Sequence, residues 1–188
     1  MKMKIFFGIA ITLLVGYSCQ SKNNANAQLE KKEVEAFVTE FYTWYLDEIY
    51  LKEKTDDFPE FTLIKNKYFA LDTVNYFQFL KKTKYFSEQF FINERNKIAD
   101  CNKVLKQVPA KEVEDYAIPS EGIRECRFME YMQWVGCQGE EIDRFDIKKT
   151  NQIAQHNFEV IVQLCDEIKV TVSNYNSIYR IDKIELSR

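Results

Sequence analysis

Glycine is absent from residues 17–121 and then returns at Gly122, Gly136 and Gly139. Without glycine a segment has few residues suited to positive φ, and so few tight turns. The distribution predicts a first half built mainly of helices, with breaks at Pro59, Pro109 and Pro119, and a second half of different construction.

Periodicity points the same way. Over residues 29–51, Val34, Phe37, Val38, Phe41, Tyr45 and Ile49 recur at steps of three and four and form one apolar helical face. The run Phe41-Tyr42-Thr43-Trp44-Tyr45-Leu46 is apolar on more than one face, so this helix should be covered on two sides. Residues 61–71 read either as a small hairpin turning at Asn66 or as irregular chain. Asp72 or Thr73 can cap a second helix reaching Lys82, and Ser87 a third reaching Gln107. The third would bury Phe90, Ile98, Cys101, Leu105 and Val108.

The period then changes to two. A strand is expected over residues 141–150, with Phe145 and Ile147 inward. Phe158, Val160, Val162 and Leu164 alternate with their neighbours, as do Ile168, Val170 and Val172. In the last segment Tyr179 and Ile181 share one parity and Ile184 and Leu186 the other, which calls for a bulge or sharp bend near Asp182. Short connections favour an antiparallel meander. The fold class is therefore α+β, with N-terminal helices packed on a curved C-terminal antiparallel sheet. Such a sheet, folded round the first helix, would leave a pocket at its open end.

The N-terminus reads differently. After Met1-Lys2-Met3-Lys4, residues 5–15 are apolar except for Gly8 and Thr12. That is about half of the roughly 20 residues a membrane-spanning helix needs, and it suits a secretory signal over residues 1–18. Gly16-Tyr17-Ser18-Cys19 resembles the lipobox of bacterial lipoproteins, with Gly16 where the usual pattern has leucine. The resemblance implies cleavage before Cys19, diacylglycerol on its sulfur, and a lipid anchor in the cell envelope of a Gram-negative bacterium. With no acidic cluster after Cys19, the expected location is the periplasmic face of the outer membrane. The alternative is an ordinary secreted protein, cut nearby, with Cys19 removed or free. Residues 19–28 are polar and small, and read as a flexible tether. Residues 29–188 then form a single domain of ordinary size.

Four cysteines remain beyond Cys19: Cys101, Cys126, Cys137 and Cys165. In an exported chain an even number suggests disulfides, with three possible connectivities. Cys101 with Cys126 and Cys137 with Cys165 is the preferred pairing; four buried thiols is the alternative. The spacings include no Cys-x-x-Cys, so neither a zinc site nor a redox motif is indicated. A formal charge of −3 without clustered cations offers no footprint for nucleic acid. Lys81-Lys82 and Lys148-Lys149 are short runs that read as solvated surface.

Three packing motifs carry a further resemblance: Phe41-Tyr42-x-Trp44-Tyr45-Leu46, Tyr68-x-x-Leu71-Asp72 and Tyr179-Arg180-Ile181-Asp182-Lys183-Ile184. Together they resemble uncharacterised bacterial lipoprotein domains related to the nuclear transport factor two-like superfamily, over residues 29–186. The resemblance implies a cone of helices against a curved antiparallel sheet. That superfamily includes isomerases, dehydratases, immunity proteins and plain binding modules, so it does not by itself give a function. No acid–base set of its enzymes is matched here, and no catalytic residue or cofactor carries over.

Candidate site residues are few. His156, the single histidine, is more often a surface or hydrogen-bonded residue than a general base. Asp56-Asp57 and Glu140-Glu141 are loop acids with weak cation-binding potential, and no metal site is expected. Asp100, beside Cys101, would suit acid–base work if it pointed into a pocket. Glu130, Tyr131, Gln133 and Trp134 could line a pocket mouth; the alternative is that Phe128, Met132 and Trp134 simply cover the sheet. The leading expectation is a lipid-anchored periplasmic binding or interaction domain, immunity-like in one variant, holding an apolar small ligand or an envelope protein. The alternative is a small lyase or isomerase using a buried carboxylate with tyrosine. A closed aromatic interior favours the first; a roomy pocket with convergent polar side chains favours the second.

Overall fold

The computed structural model describes residues 8–52, 58–110, 123–129, 134–136, 142 and 144–187. Helix α1 (Gly8–Tyr45) continues into a π-helical turn (Leu46–Tyr50). Residues 20–28, expected to be a flexible tether, are helical here. No glycine or proline lies between Gly16 and Pro59, so nothing in the backbone chemistry breaks a helix through that segment. Among the described residues no helix is long and apolar enough to cross a membrane.

Two strands follow, β1 (Glu60–Ile64) and β2 (Tyr68–Asp72), paired antiparallel. They form the hairpin alternative for this region, turning through Lys65 and Asn66 at φ of 50° and 55°. Helix α2 (Val74–Lys82) starts where the Asp72 carboxylate accepts the Val74 N–H at 2.9 Å. Helix α3 (Glu88–Leu105) is capped by Ser87, whose hydroxyl accepts the Phe90 N–H at 3.1 Å. It buries Phe90, Phe91, Ile98, Cys101 and Leu105, while Val108 lies beyond its end and is half-buried.

A short 3-10 helix (Arg124–Met129) precedes the main sheet. The sheet is a four-stranded antiparallel meander in the order β3 (Asp146–Ala154), β4 (Asn157–Gln163), β5 (Glu167–Tyr175), β6 (Ile178–Leu186). β3 begins later than expected, with Phe145 just before it packed against the core. Between β5 and β6 the register passes from Thr171 opposite Lys183 to Val172 opposite Ile181, leaving Asp182 as the extra residue of a bulge. The parity change along β6 is thus absorbed where the sequence places it.

Helix α1 lies against β3 and β4, while α3 contacts β6, β2 and the 3-10 helix. Phe41, Tyr45, Phe86, Phe90 and Trp134 fill the space between helices and sheet, with Trp134 centroids 5.0 Å from Tyr45 and 5.3 Å from Phe86. Burying aromatic rings of this size dominates the core energetics. Cys101 and Cys126 are bridged and fully buried. Cys165 is also disulfide-bonded; Cys137, expected as its partner, lies outside the described residues.

Candidate functional site

Among the described residues the interior is packed with rings, and two grooves lie outside it. A groove of about 610 Å³ is lined by Trp44, Ile49, Phe79, Thr83, Tyr85 and the charged residues Glu48, Lys82 and Lys84. Three segments build it. α1 supplies Trp44, and the π-helical turn supplies Glu48 and Ile49. A π turn shifts the helical register by one residue and is frequent at functional sites. The end of α2 and the connection after it supply Phe79, Lys82, Thr83, Lys84 and Tyr85.

The rings are ordered against one another. Trp44 stacks on Phe79 with centroids 6.1 Å apart and planes at 18°, and lies 5.0 Å from Tyr85. The connection that carries Tyr85 is fixed by Thr83, whose N–H and hydroxyl both donate to the Leu80 carbonyl at the end of α2 (3.2 and 2.9 Å). Lys84 pairs with Glu40 of α1 at 2.5 Å and sits 5.7 Å above the Tyr85 ring. The Glu40 hydrogen bond and charge raise the Lys84 pKa; burial, then Glu40, raise that of Tyr85. Lys84 thus stays cationic and Tyr85 neutral through the ordinary pH range. The result is an aromatic wall of moderate depth with cations on its rim. Its volume lies within the roughly 300–1,000 Å³ of small-molecule sites.

A second groove of about 510 Å³ is lined by Phe86, Ser87, Glu88, Gln89, Tyr175 and Arg180. It lies at the start of α3, beside β6, and is less aromatic.

Of the residues singled out from sequence, the three that are described, Asp100, Trp134 and His156, lie apart from one another. Asp100 is exposed on α3; the helical step of about 100° per residue that puts Cys101 inward turns its neighbour to solvent. Trp134 is 2% exposed and belongs to the core, where Tyr45, Phe86 and Phe90 surround it. Tyr131, Glu130 and Gln133 lie outside the described residues, as do Asp56, Asp57, Glu140 and Glu141. His156 is exposed in the β3–β4 turn, its Nδ1 3.1 Å from Glu30 of α1. Among the described residues no three His, Cys, Asp or Glu side chains are grouped as metal ligands.

Two buried carboxylates escaped the sequence reading. Glu94 is 3% exposed and accepts the Tyr76 hydroxyl at 2.7 Å and the Lys97 ammonium at 2.5 Å. Asp182 accepts the hydroxyls of Ser87 and Ser173 at 2.5 and 2.9 Å. Each accepts two side-chain hydrogen bonds, as a carboxylate needs hydrogen-bonding partners to remain in a core. The groove residues were missed for a different reason. Trp44, Phe79 and Tyr85 come from three segments, and the only trace they leave in sequence is the excess of apolar faces on α1.

No family model, curated protein or solved structure matches this chain.

Proposed function

We propose that this protein is a lipid-anchored binding domain of the bacterial envelope that holds a small, flat, largely apolar ligand with an anionic group in the Trp44–Phe79–Tyr85 groove. The observation that carries this reading is the stacked wall of Trp44 and Phe79 beside Tyr85, half-open to solvent and edged by Lys82 and Lys84. Ring faces attract apolar and aromatic groups, and the ammonium groups would orient a carboxylate or phosphate. Cys19 is the acylated residue in this reading, and α1 leads from it to the groove.

The cone of the nuclear transport factor two-like superfamily is our reading of the architecture. Its support is α1 lying across β3 and β4 and the bulge that bends β6 at Asp182. The interior of this cone is occupied by its own side chains, which moves binding to the outer groove. The enzyme alternative has one concrete pair in Tyr76 and Glu94, but these are 1% and 3% exposed, and neither described groove includes them. A binding role fits the open groove better than catalysis fits the closed pair.

The test is purification of the native protein from membranes beside a Trp44→Ala variant, followed by mass spectrometry of the small molecules that accompany each. A molecule retained by the parent and lost from the variant supports the reading. The same molecule in equal yield from both, or none with the parent across several detergents, overturns it.

A further inference from the structure

One end of the domain gathers exposed apolar residues around the place where α1 leaves it. Glu30 accepts the Asn174 amide at 3.1 Å and lies 3.1 Å from His156 Nδ1, while the Tyr179 hydroxyl donates to Glu33 at 2.8 Å. The Asn174 N–H donates to the His156 carbonyl at 2.8 Å. These bonds hold the β3–β4 and β5–β6 turns beside residues 30–33 of α1. The same end exposes Leu29, Ile153, Tyr175 and Ile178, at 58%, 54%, 57% and 50%. Tyr175 and Ile178 face each other across the β5–β6 turn. Four large hydrophobics, each half or more exposed and held on one end by hydrogen bonds, are not the scattered single residues of an ordinary surface.

The chain itself indicates what covers them. Residues 26–29 are exposed, so α1 projects from the domain here, running back unbroken to Gly8. Cys19 lies ten residues before Leu29, which is about 15 Å of helix. An acyl group on its sulfur would hold this end, and no other, close to a bilayer.

We propose that the β3–β4 and β5–β6 turns, through Ile153, Tyr175 and Ile178, form a membrane-contacting surface that seats the domain on the phospholipid bilayer carrying its anchor. Tyrosine suits the headgroup level, with its ring in the apolar boundary and its hydroxyl in water. Glu30 and Glu33 are held in place by Asn174, His156 and Tyr179, and the exposed Lys31 and Lys32 beside them offset their charge. Seated in this way, the domain has a fixed orientation to the membrane. This inference rests on the reading that Cys19 is acylated.

The experiment uses the full chain, purified from membranes and reconstituted into phosphatidylethanolamine–phosphatidylglycerol vesicles with brominated acyl chains, which quench tryptophan on contact. Ile178→Trp is compared with Leu63→Trp, an exposed position on the β1–β2 hairpin that α3 holds through Asn102, at the opposite end of that helix from Ser87. The added emission at residue 178 should fall by roughly a half or more, as expected for a side chain at the acyl boundary, with little change at residue 63. No quenching at residue 178, or equal quenching at both, overturns the proposal. Shielding of residue 178 from a water-soluble quencher without bromine quenching also overturns it, since a protein would then cover the surface. Tyr175→Trp serves as a second probe should Ile178→Trp fail to fold. The mass of the mature N-terminus reports acylation separately: an unmodified Cys19 removes the anchor, whereas an acylated chain unquenched at residue 178 refutes the seating alone.

Discussion

The Ser87 hydroxyl donates to Asp182 at 2.5 Å while accepting the Phe90 N–H at 3.1 Å, so one atom both caps α3 and ties that helix to the bulge in β6. The neighbouring backbone reinforces the tie. Ser87 N–H donates to the Ile181 carbonyl and Ile181 N–H to the Tyr85 carbonyl, adding residues 85–87 alongside β6. Asn93 from the next turn of α3 donates to the Asp182 carbonyl at 2.9 Å. The bulge lets Asp182 turn inward, where a regular strand would not present it.

Ser87→Ala should therefore cost about 2–3 kcal/mol: about 1 for the lost cap, the rest for a buried carboxylate deprived of one donor. Asp182→Asn should be destabilising through the same contacts. In urea denaturation the double variant should fall short of the sum of the singles by about 1 kcal/mol or more. Simple additivity would show that the two residues act independently.

How much of this was legible in the sequence depended on whether the signal was local. The bulge was legible because the apolar parity of β6 changes within nine residues. The caps at Asp72 and Ser87 were legible because capping chemistry is local. The hairpin turns were harder, since glycine's absence suggested few of them. Lys65, Asn66, Asn176 and Ser177 instead adopt positive φ, from 50° to 64°, a region asparagine enters at small cost and strand pairing can impose on the others. Trp134 shows the opposite limit. Whether an aromatic residue outside regular structure lines a pocket or fills a core depends on which distant rings meet it, and here Phe41, Tyr45, Phe86 and Phe90 all do. The Trp44 groove is likewise a product of tertiary contact.

The bridge between Cys101 and Cys126 spans a sequence separation of 25. Closing a loop of that length removes unfolded-state entropy worth about 3 kcal/mol. It also joins α3 to the 3-10 helix, beside the Lys97 ammonium 5.4 Å above the Phe128 ring. Replacing both cysteines with alanine should lower stability by about that amount or more, since two fully buried sulfurs are lost as well. Chemical denaturation without reductant measures this. A double variant as stable as the parent would mean that packing alone holds the two helices together.

Among the described glycines, Gly136 is the one whose conformation and surroundings both demand it. Its φ is +78°, and a Cβ there would stand 2.7 Å from the Asp166 Cβ and 2.9 Å from a Leu186 methyl. Alanine would add backbone strain of about 1–2 kcal/mol and force the β4–β5 connection or the end of β6 to move. Gly136→Ala should lower the thermal midpoint clearly, with a total loss of about 2–4 kcal/mol. Serine should behave like alanine, because the obstacle is the Cβ itself. An unchanged midpoint would place residue 136 in another backbone conformation.

Tyr42 is fully buried, with its ring 5.5 Å from Phe145, and its hydroxyl has no hydrogen-bond partner among the described residues. Burial raises its pKa far above the ordinary tyrosine value of 10.0. The folded state therefore retains the phenol proton where the unfolded chain gives it up. The associated stability is fully present below pH 10 and is lost progressively as pH rises above it. Tyr179 contributes in the same direction, its pKa raised by burial and then by its hydrogen bond to Glu33. Tyr42→Phe removes an unsatisfied hydroxyl while keeping the ring, so at neutral pH it should stabilise the fold by about 1 kcal/mol. Above pH 10 the advantage should widen, because the variant no longer loses stability through this group, and the loss due to Tyr179 should remain. Urea midpoints of parent and variant at neutral pH and at about pH 11, above the ordinary tyrosine value, measure both effects. A variant less stable than the parent at neutral pH would show that the hydroxyl is bonded after all.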